Sequence, residues 1–177
     1  MTRLRLPLVG TKHAAPSGLT TEQVWAALDR ASYAVLGYVN PAGEPRASGV
    51  MYATVGRRLH VATDPDSWKA RSLADGDQVS VTVPIRRGGP LSLVAPIPPA
   101  TIAFHARVTV HPAGSVDVAS MSKKLASYQP GERRMSCLLE LMPEGDFLTY
   151  GLGVSLRDMT KPSTAQAHVP VGSGTGG

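Results

Sequence analysis

The chain has 177 residues, 42% hydrophobic and 18% charged, which is enough apolar material for a globular core and a length suited to one domain. The formal charge of +5 favours anionic partners, but the basic residues are dispersed in pairs and only 5% of residues are aromatic, which argues for a phosphorylated small molecule and against nucleic acid. No apolar run reaches the ~18 residues of a membrane span, the N-terminal apolar stretch is too short for a secretory signal, and a single cysteine forms no internal disulfide, so a cytoplasmic protein is expected.

Residues 1–19, with Pro7, Gly10, Pro16 and Gly18, read as an irregular lead-in. Thr20 and Gln23 form a capping box, and Val24, Trp25 and Leu28 at helical spacing predict a helix that stops near Ala31. Residues 33–39 are strand by composition, Asn40-Pro41-Ala42-Gly43 is a turn, and residues 46–55 are a second strand. Gly56-Arg57 makes a tight turn into a third strand over 58–63, which completes a meander. Asp64-Pro65-Asp66 breaks the sheet, and residues 67–75 read as a short helix closed by Gly76 at C′.

A fourth strand spans 78–83. Residues 86–100 hold four prolines and two glycines, so no regular element persists there; a loop of that kind inside a compact domain is often functional. Residues 101–111 form a long strand with Ile102, Phe104, Ala106 and Val108 on one face. A weak helix over 115–128 precedes strands at 135–142 and 146–154, joined through Pro143-Glu144-Gly145. Cys137, beside Leu138 and Leu139, reads as a core thiol. Residues 158–177 read as a flexible tail behind a domain of 20–157. Short antiparallel strands without βαβ alternation make a mostly-β (α+β) barrel with a few peripheral helices.

The stretch after the third strand carries the chemistry. In Asp64-Pro65-Asp66-Ser67-Trp68-Lys69-Ala70-Arg71 a helix start coincides with a hydroxyl and two cations. Two readings stand: an anion site built on free backbone N–H groups, or a plain helix cap with solvated cations. Arg46 in the second strand shares a face with Ser48, Val50 and Tyr52, while Gly49 and Met51 lie on the other. If the second and third strands pair, Arg46 comes near the start of that helix. The five histidines are scattered, with no zinc spacing.

These segments, with Gly43-Glu44-Pro45-Arg46-Ala47-Ser48-Gly49-Val50-Met51-Tyr52, Leu59-His60-Val61-Ala62-Thr63 and Val79-Ser80-Val81-Thr82-Val83, resemble the pyridoxamine 5′-phosphate oxidase-like family of flavin-binding split barrels over residues 21–154. The resemblance implies a six- to seven-stranded antiparallel split barrel working as a homodimer, with FMN at the subunit interface. It implies that Lys69 and Ser67 hold the flavin phosphate. Trp68 stands where the family often has an arginine, and Arg71 or Arg46 stands nearby to compensate. Residues 46–51, including Ser48, Gly49, Val50 and Met51, match the strand that lies along the isoalloxazine ring. Ala62 and Thr63 match the neighbouring strand, and Thr101 matches a position that reaches the cofactor across the dimer. The family oxidases' arginine- and histidine-bearing C-terminal segment is absent, and Gly151-Leu152-Gly153-Val154-Ser155-Leu156-Arg157 stands in its place.

Three functions follow from the resemblance. The first is an FMN-dependent oxidoreductase acting on a small molecule, with no catalytic side chain named. The second uses a deazaflavin coenzyme in the same cleft, whose longer anionic tail Arg86-Arg87 would suit. The third is a flavin or haem sensor or carrier, with His60 or His105 as candidate axial ligand.

Overall fold

The computed structural model describes residues 18–87, 99–128, 136–155 and 158–172. Helix α1 (Thr21–Arg30) starts on the expected capping box: the Thr20 hydroxyl accepts from the Gln23 amide, and the Gln23 side chain accepts from the Thr20 amide. Its buried face, Val24, Trp25, Ala27 and Leu28, packs into the barrel. There Trp25 and Phe104 both meet Phe147 edge-on, at 5.4 and 5.3 Å between ring centroids.

The strands are β1 (Tyr33–Val39), β2 (Pro45–Met51), β3 (Ala53–Val55), β4 (Arg58–Thr63), β5 (Gln78–Ile85), β6 (Ala100–His111), β7 (Cys137–Tyr150) and β8 (Gln166–Pro170). They pair antiparallel in the order β2-β1-β5-β6-β7-β4-β3, with β8 added on β7. The two edge strands, β2 and β3, are consecutive in the chain with only Tyr52 between them, so the curled sheet closes on itself. With β2 and β3 taken as one bent strand the split barrel has six strands, and β8 makes a seventh.

The expected single strand over 46–55 breaks at Tyr52 because its first half pairs with β1 and its second with β4. Tyr52 is fully buried. Its amide donates to the Ser32 carbonyl at 3.0 Å and its hydroxyl to the Leu28 carbonyl at 2.8 Å. The Lys124 ammonium lies 5.7 Å from its ring centroid and donates to the Asp29 and Ala31 carbonyls at 2.9 and 2.5 Å. Closure and the C-terminal end of α1 are thus fastened by one cluster. Burial pushes the Tyr52 phenol well above its usual range.

Other boundaries also differ from expectation. Helix α2 (Trp68–Ser72) is shorter than 67–75, and Gly76, at φ +85°, serves the following turn, where its amide donates to the Val108 carbonyl. The segment 115–128 holds two short helices, α3 (Val118–Met121) and α4 (Lys123–Ala126), because Ser122 caps the second. They lie outside β3, β4 and β7 over a small second cluster of Ala53, Val118, Leu125 and Leu138. The two strands expected at 135–142 and 146–154 are one, β7; Gly145 at φ +72° and a register shift opposite 103–105 absorb the interruption.

The flexible tail expected at 158–177 is structured over 158–172. After helix α5 (Pro162–Ala165), β8 pairs with residues 146–150 and buries Ala167 and Val169. An alternating pair of apolar side chains suffices once an open edge of β7 is available. Most of the lead-in (1–17), most of the proline-rich loop (88–98) and the segment 173–177 lie outside the described residues. Among the described residues, no helix is long and apolar enough to cross a membrane.

Tyr52→Phe removes the hydroxyl and leaves the buried Leu28 carbonyl without its partner. The unfolding free energy should fall by about 1–2 kcal/mol. Urea denaturation should show this as a lower midpoint with an unchanged slope.

Candidate functional site

Between β4 and α2 the chain turns on Asp64, whose carboxylate accepts from the Asp66 amide at 2.8 Å and whose carbonyl accepts from the Ser67 amide at 3.0 Å. Ser67 is the N-cap of α2: its hydroxyl accepts from the Ala70 amide at 3.3 Å and shares a hydrogen bond with the Thr63 hydroxyl at 3.0 Å. Ser67 therefore caps the helix, as its place in the sequence allows. A helix of only five residues contributes little dipole, so any anion here is held by side chains. Trp68 is 77% exposed, and the Arg71 guanidinium stacks 5.2 Å from its ring centroid. Lys69 is half-buried and has no ion pair among the described residues.

By alternation strand β2 presents Arg46, Ser48 and Val50 to one side, which Tyr52 continues, and Ala47, Gly49 and Met51 to the other, although Ala47 also borders the pocket beside α2. Val50 points into the core, whereas Arg46 and Ser48, nearer the β1–β2 turn, do not reach it. The Tyr38 and Ser48 hydroxyls lie 3.3 Å apart. Arg46 pairs with Glu44 at 2.5 Å, and Glu44 also accepts from Asn40 at 2.9 Å. The Asn40 hydrogen bond, with the Arg46 charge, holds the Glu44 carboxyl below its usual range.

These elements enclose a pocket of about 270 Å³ between the β1–β2 hairpin and α2, lined by Tyr38, Asn40, Arg46, Ala47, Ser48, Trp68 and Ser72. The fold thus brings Arg46, Ser48 and Trp68 into one concave site. Ser67 and Lys69 flank Trp68 in the chain but do not line the pocket, and Arg71 reaches it only through the Trp68 ring.

The other side of β2 opens onto a broad outer sheet face. A single row runs across it: Gly49, Val35, Thr82, Ala103, Leu148 and His168, each paired with the next. Tyr33, Met51 and Leu148 are 44%, 40% and 41% exposed there. Tyr33 lies across Gly49 so closely that a Cβ at that position would sit 2.6 Å from its hydroxyl and 3.0 Å from its ring. Thr101 is on the same face as Ala103, three strands away from β2. Ala62 is on the outside of β4, covered by the α3–α4 cluster, while Thr63 faces inward to Ser67.

Neither a protein-family model nor a curated protein matches the sequence. Solved structures do. HutZ, the haem storage protein of Vibrio cholerae, superposes with a TM-score of 0.57 at 18% identity, covering 75% of this chain and 96% of that one. An FAD-binding protein of Mesorhizobium loti gives 0.53 at 16% identity over 71% and 91% of the two chains. A candidate pyridoxamine 5′-phosphate oxidase of Listeria innocua gives 0.51 at 16% identity over 70% and 93%. The chain has the fold of the pyridoxamine 5′-phosphate oxidase-like split barrels.

One cluster of this split barrel escaped the sequence reading. His60 on β4, Glu140 on β7 and His111 on β6 meet on the outer wall, although the sequence disperses them. The Glu140 carboxylate has His111 Nε2 at 3.1 Å and His60 Nε2 at 3.6 Å, and accepts from Arg58 at 2.6 Å. His60 is 3% exposed and its Nδ1 has no hydrogen-bond partner. Among the described residues, no group of histidines, cysteines or carboxylates is arranged to hold a metal ion. Only the β4–β7–β6 register joins these residues, and no sequence signal carries that register. His105, the other histidine weighed as an axial ligand, is exposed on the outer face opposite Ser80.

Burial lowers the His60 pKa, against the opposing pull of the Glu140 carboxylate. Burial alone would raise the Glu140 carboxyl, but the His111 hydrogen bond and the Arg58 guanidinium outweigh it and hold the carboxyl low. A histidine with a depressed folded pKa stays neutral in the fold while the unfolded chain takes up its proton. Its contribution is intact above about pH 6.5 and is lost as the pH falls below it; the Glu140 contribution is lost only below about pH 4.5. Urea midpoints measured from pH 8 to pH 5 should therefore decline in the wild type and decline less steeply in His60→Gln. Parallel slopes would assign the decline to other groups.

Proposed function

We propose that the protein binds FMN, with the phosphate at the pocket between β2 and α2 and the ring along residues 49–51, and works as a flavin-dependent oxidoreductase. The observation that carries this is the convergence of Arg46, Ser48 and Trp68 on one pocket; Lys69, next to Trp68 in the chain and without an ion pair among the described residues, would turn to the pocket mouth when the phosphate binds. A pocket of this size, with the Arg46 guanidinium and the Ser48 and Ser72 hydroxyls on its wall, suits the phosphate end of a small cofactor, which would compete with Glu44 for Arg46. The glycine at 49 keeps the strand's outer surface shallow, which leaves room for a flat ring once Tyr33 shifts. A bound flavin supplies hydride or electron transfer, and this chain's residues supply position and charge. The names of the structurally similar proteins, which include FAD and pyridoxamine 5′-phosphate chemistry, agree with this reading.

The partner in this reading is a second copy of the chain. Tyr33, Val35, Met51 and Leu148 expose apolar surface on one side of the barrel, interleaved with Gly37, Gly49 and Ala103, so two sheets can approach closely. Exposed apolar side chains on one sheet face, set among small and polar residues such as Thr82, suit an interaction site, and an isologous dimer covers it on both subunits at once. The cytoplasm suits a chain whose one cysteine is a buried thiol.

Adding FMN to the purified protein should produce the bound-flavin absorption spectrum. Lys69→Ala and Arg46→Ala should weaken FMN by about tenfold or more while riboflavin, which lacks the phosphate, changes by about twofold at most. Equal weakening of both ligands would remove these residues from the phosphate site. A protein that ignores FMN and takes up haemin would instead be a haem carrier, the reading favoured by its similarity to HutZ.

Val35→Asp places a charge in the middle of the outer face without touching the core. It should convert the dimer to monomers in analytical ultracentrifugation. A wild-type protein that is already monomeric would refute the proposed assembly.

A further inference from the structure

A second and larger groove, of about 840 Å³, lies where α1 ends and β5 ends. Its walls include Arg30, Ser32 and Tyr33 on one side and Pro84, Arg86 and Arg87 on the other, with no acidic residue among those described. Arg87 is committed to structure: its guanidinium donates to the Val154 carbonyl and lies 2.6 Å from the Met159 sulfur, which ties the end of β5 to the segment after β7. Arg30 and Arg86 are exposed, and neither side chain has a hydrogen bond or ion pair among the described residues. Two free guanidinium groups on the walls of one concave site, with no carboxylate between them, provide planar donor forks suited to an oxyanion.

The position of the groove is informative. Tyr33 lines it and also lies across Gly49, and Tyr33 pairs with Met51. The groove therefore opens at the Met51 end of β2, whereas the Arg46 pocket lies at the other end, about 17 Å away along the strand. One element separates two arginine-bearing sites, and the groove has the greater volume.

We propose that this groove is a second anion site, which binds a small molecule through a phosphate or carboxylate group held by Arg30 and Arg86, with Tyr33 against the body of the ligand. That this molecule is the reaction partner of the flavin rests on the function proposed above; the anion site itself does not. Arg87 keeps the wall in place and is not a ligand.

The test uses the whole protein in the presence and absence of FMN, with pyrophosphate and citrate as probes. Two-dimensional ¹H–¹⁵N spectra should show titrating shifts at Tyr33 and Ile85 and at the Arg30 and Arg86 side-chain Nε–H groups for at least one probe. Arg30→Ala and Arg86→Ala should each weaken that probe by about tenfold, and Arg30→Lys by less, because it keeps the charge and loses the fork. Both positions are exposed, so the variants should fold, and unchanged far-UV circular dichroism would confirm it. Unchanged affinity in both alanine variants, or shifts confined to Arg46, Ser48 and Trp68, would overturn the proposal. FMN uptake is read by absorbance in the same samples. A protein that takes no FMN but shifts at Tyr33 refutes the flavin reading and keeps the groove; one that takes FMN and shows no shift at the groove does the reverse.

Discussion

The two edges of the sheet are joined through one residue. Tyr52 leaves β2, which pairs with β1, and enters β3, which pairs with β4, so its backbone carries the closure of the barrel. Its side chain fills the interior and its hydroxyl ends on the last turn of α1. A buried phenol needs a partner for its proton, and a helix C-terminus needs donors for its carbonyls; each supplies the other, with Lys124 taking two further carbonyls from outside. Helix α1, the barrel seam and α4 are held in register by that exchange.

The consequences run along β2. Because the strand is pinned at Tyr52, its period of two assigns every other residue a side. Nearest the seam, Val50 is core. Further out the same side leaves the core, and Ser48 and Arg46 become the wall of a pocket that α2 completes with Trp68 and Ser72. The opposite side meets the outer face, where Tyr33 crosses Gly49. A single strand thus borders a small pocket walled by Arg46 at one end, a sheet face with exposed apolar side chains along its length, and an arginine-walled groove at the other end. A flat, elongated anionic cofactor and a second small anion suit that layout, which is the physical basis for the function proposed.

The outer wall under α3 and α4 is different in kind. Its charges are satisfied among themselves: Glu140 is shared by Arg58, His111 and His60, and the helices cover it with Val118 and Leu125. A histidine that loses its water keeps its neutral form, so this wall is a source of pH sensitivity in stability rather than a place for chemistry.

The local features were legible in the sequence. The Thr20–Gln23 capping box, the Ser67 cap and the two faces of residues 46–52 each depend on neighbours within a few positions, and the chain specifies them by itself. The barrel class followed from the succession of short strands and from the resemblance carried by Arg46, Ser67 and Lys69. What depended on partners far along the chain was not legible. The break at Tyr52 exists because two different strands claim its two sides, and β8 exists because β7 offers it an edge. Ala62 is hidden because α3 and α4 settle over it, and Lys69 misses the pocket that Trp68 lines because α2 sets their directions apart. His60 finds Glu140, and Arg30 and Arg86 come to line one groove, only through register and packing. The sequence by itself determined which residues alternate, cap and carry charge, because those preferences are local. Only the tertiary structure decided which of them meet, because strand pairing and helix docking are set by the core as a whole.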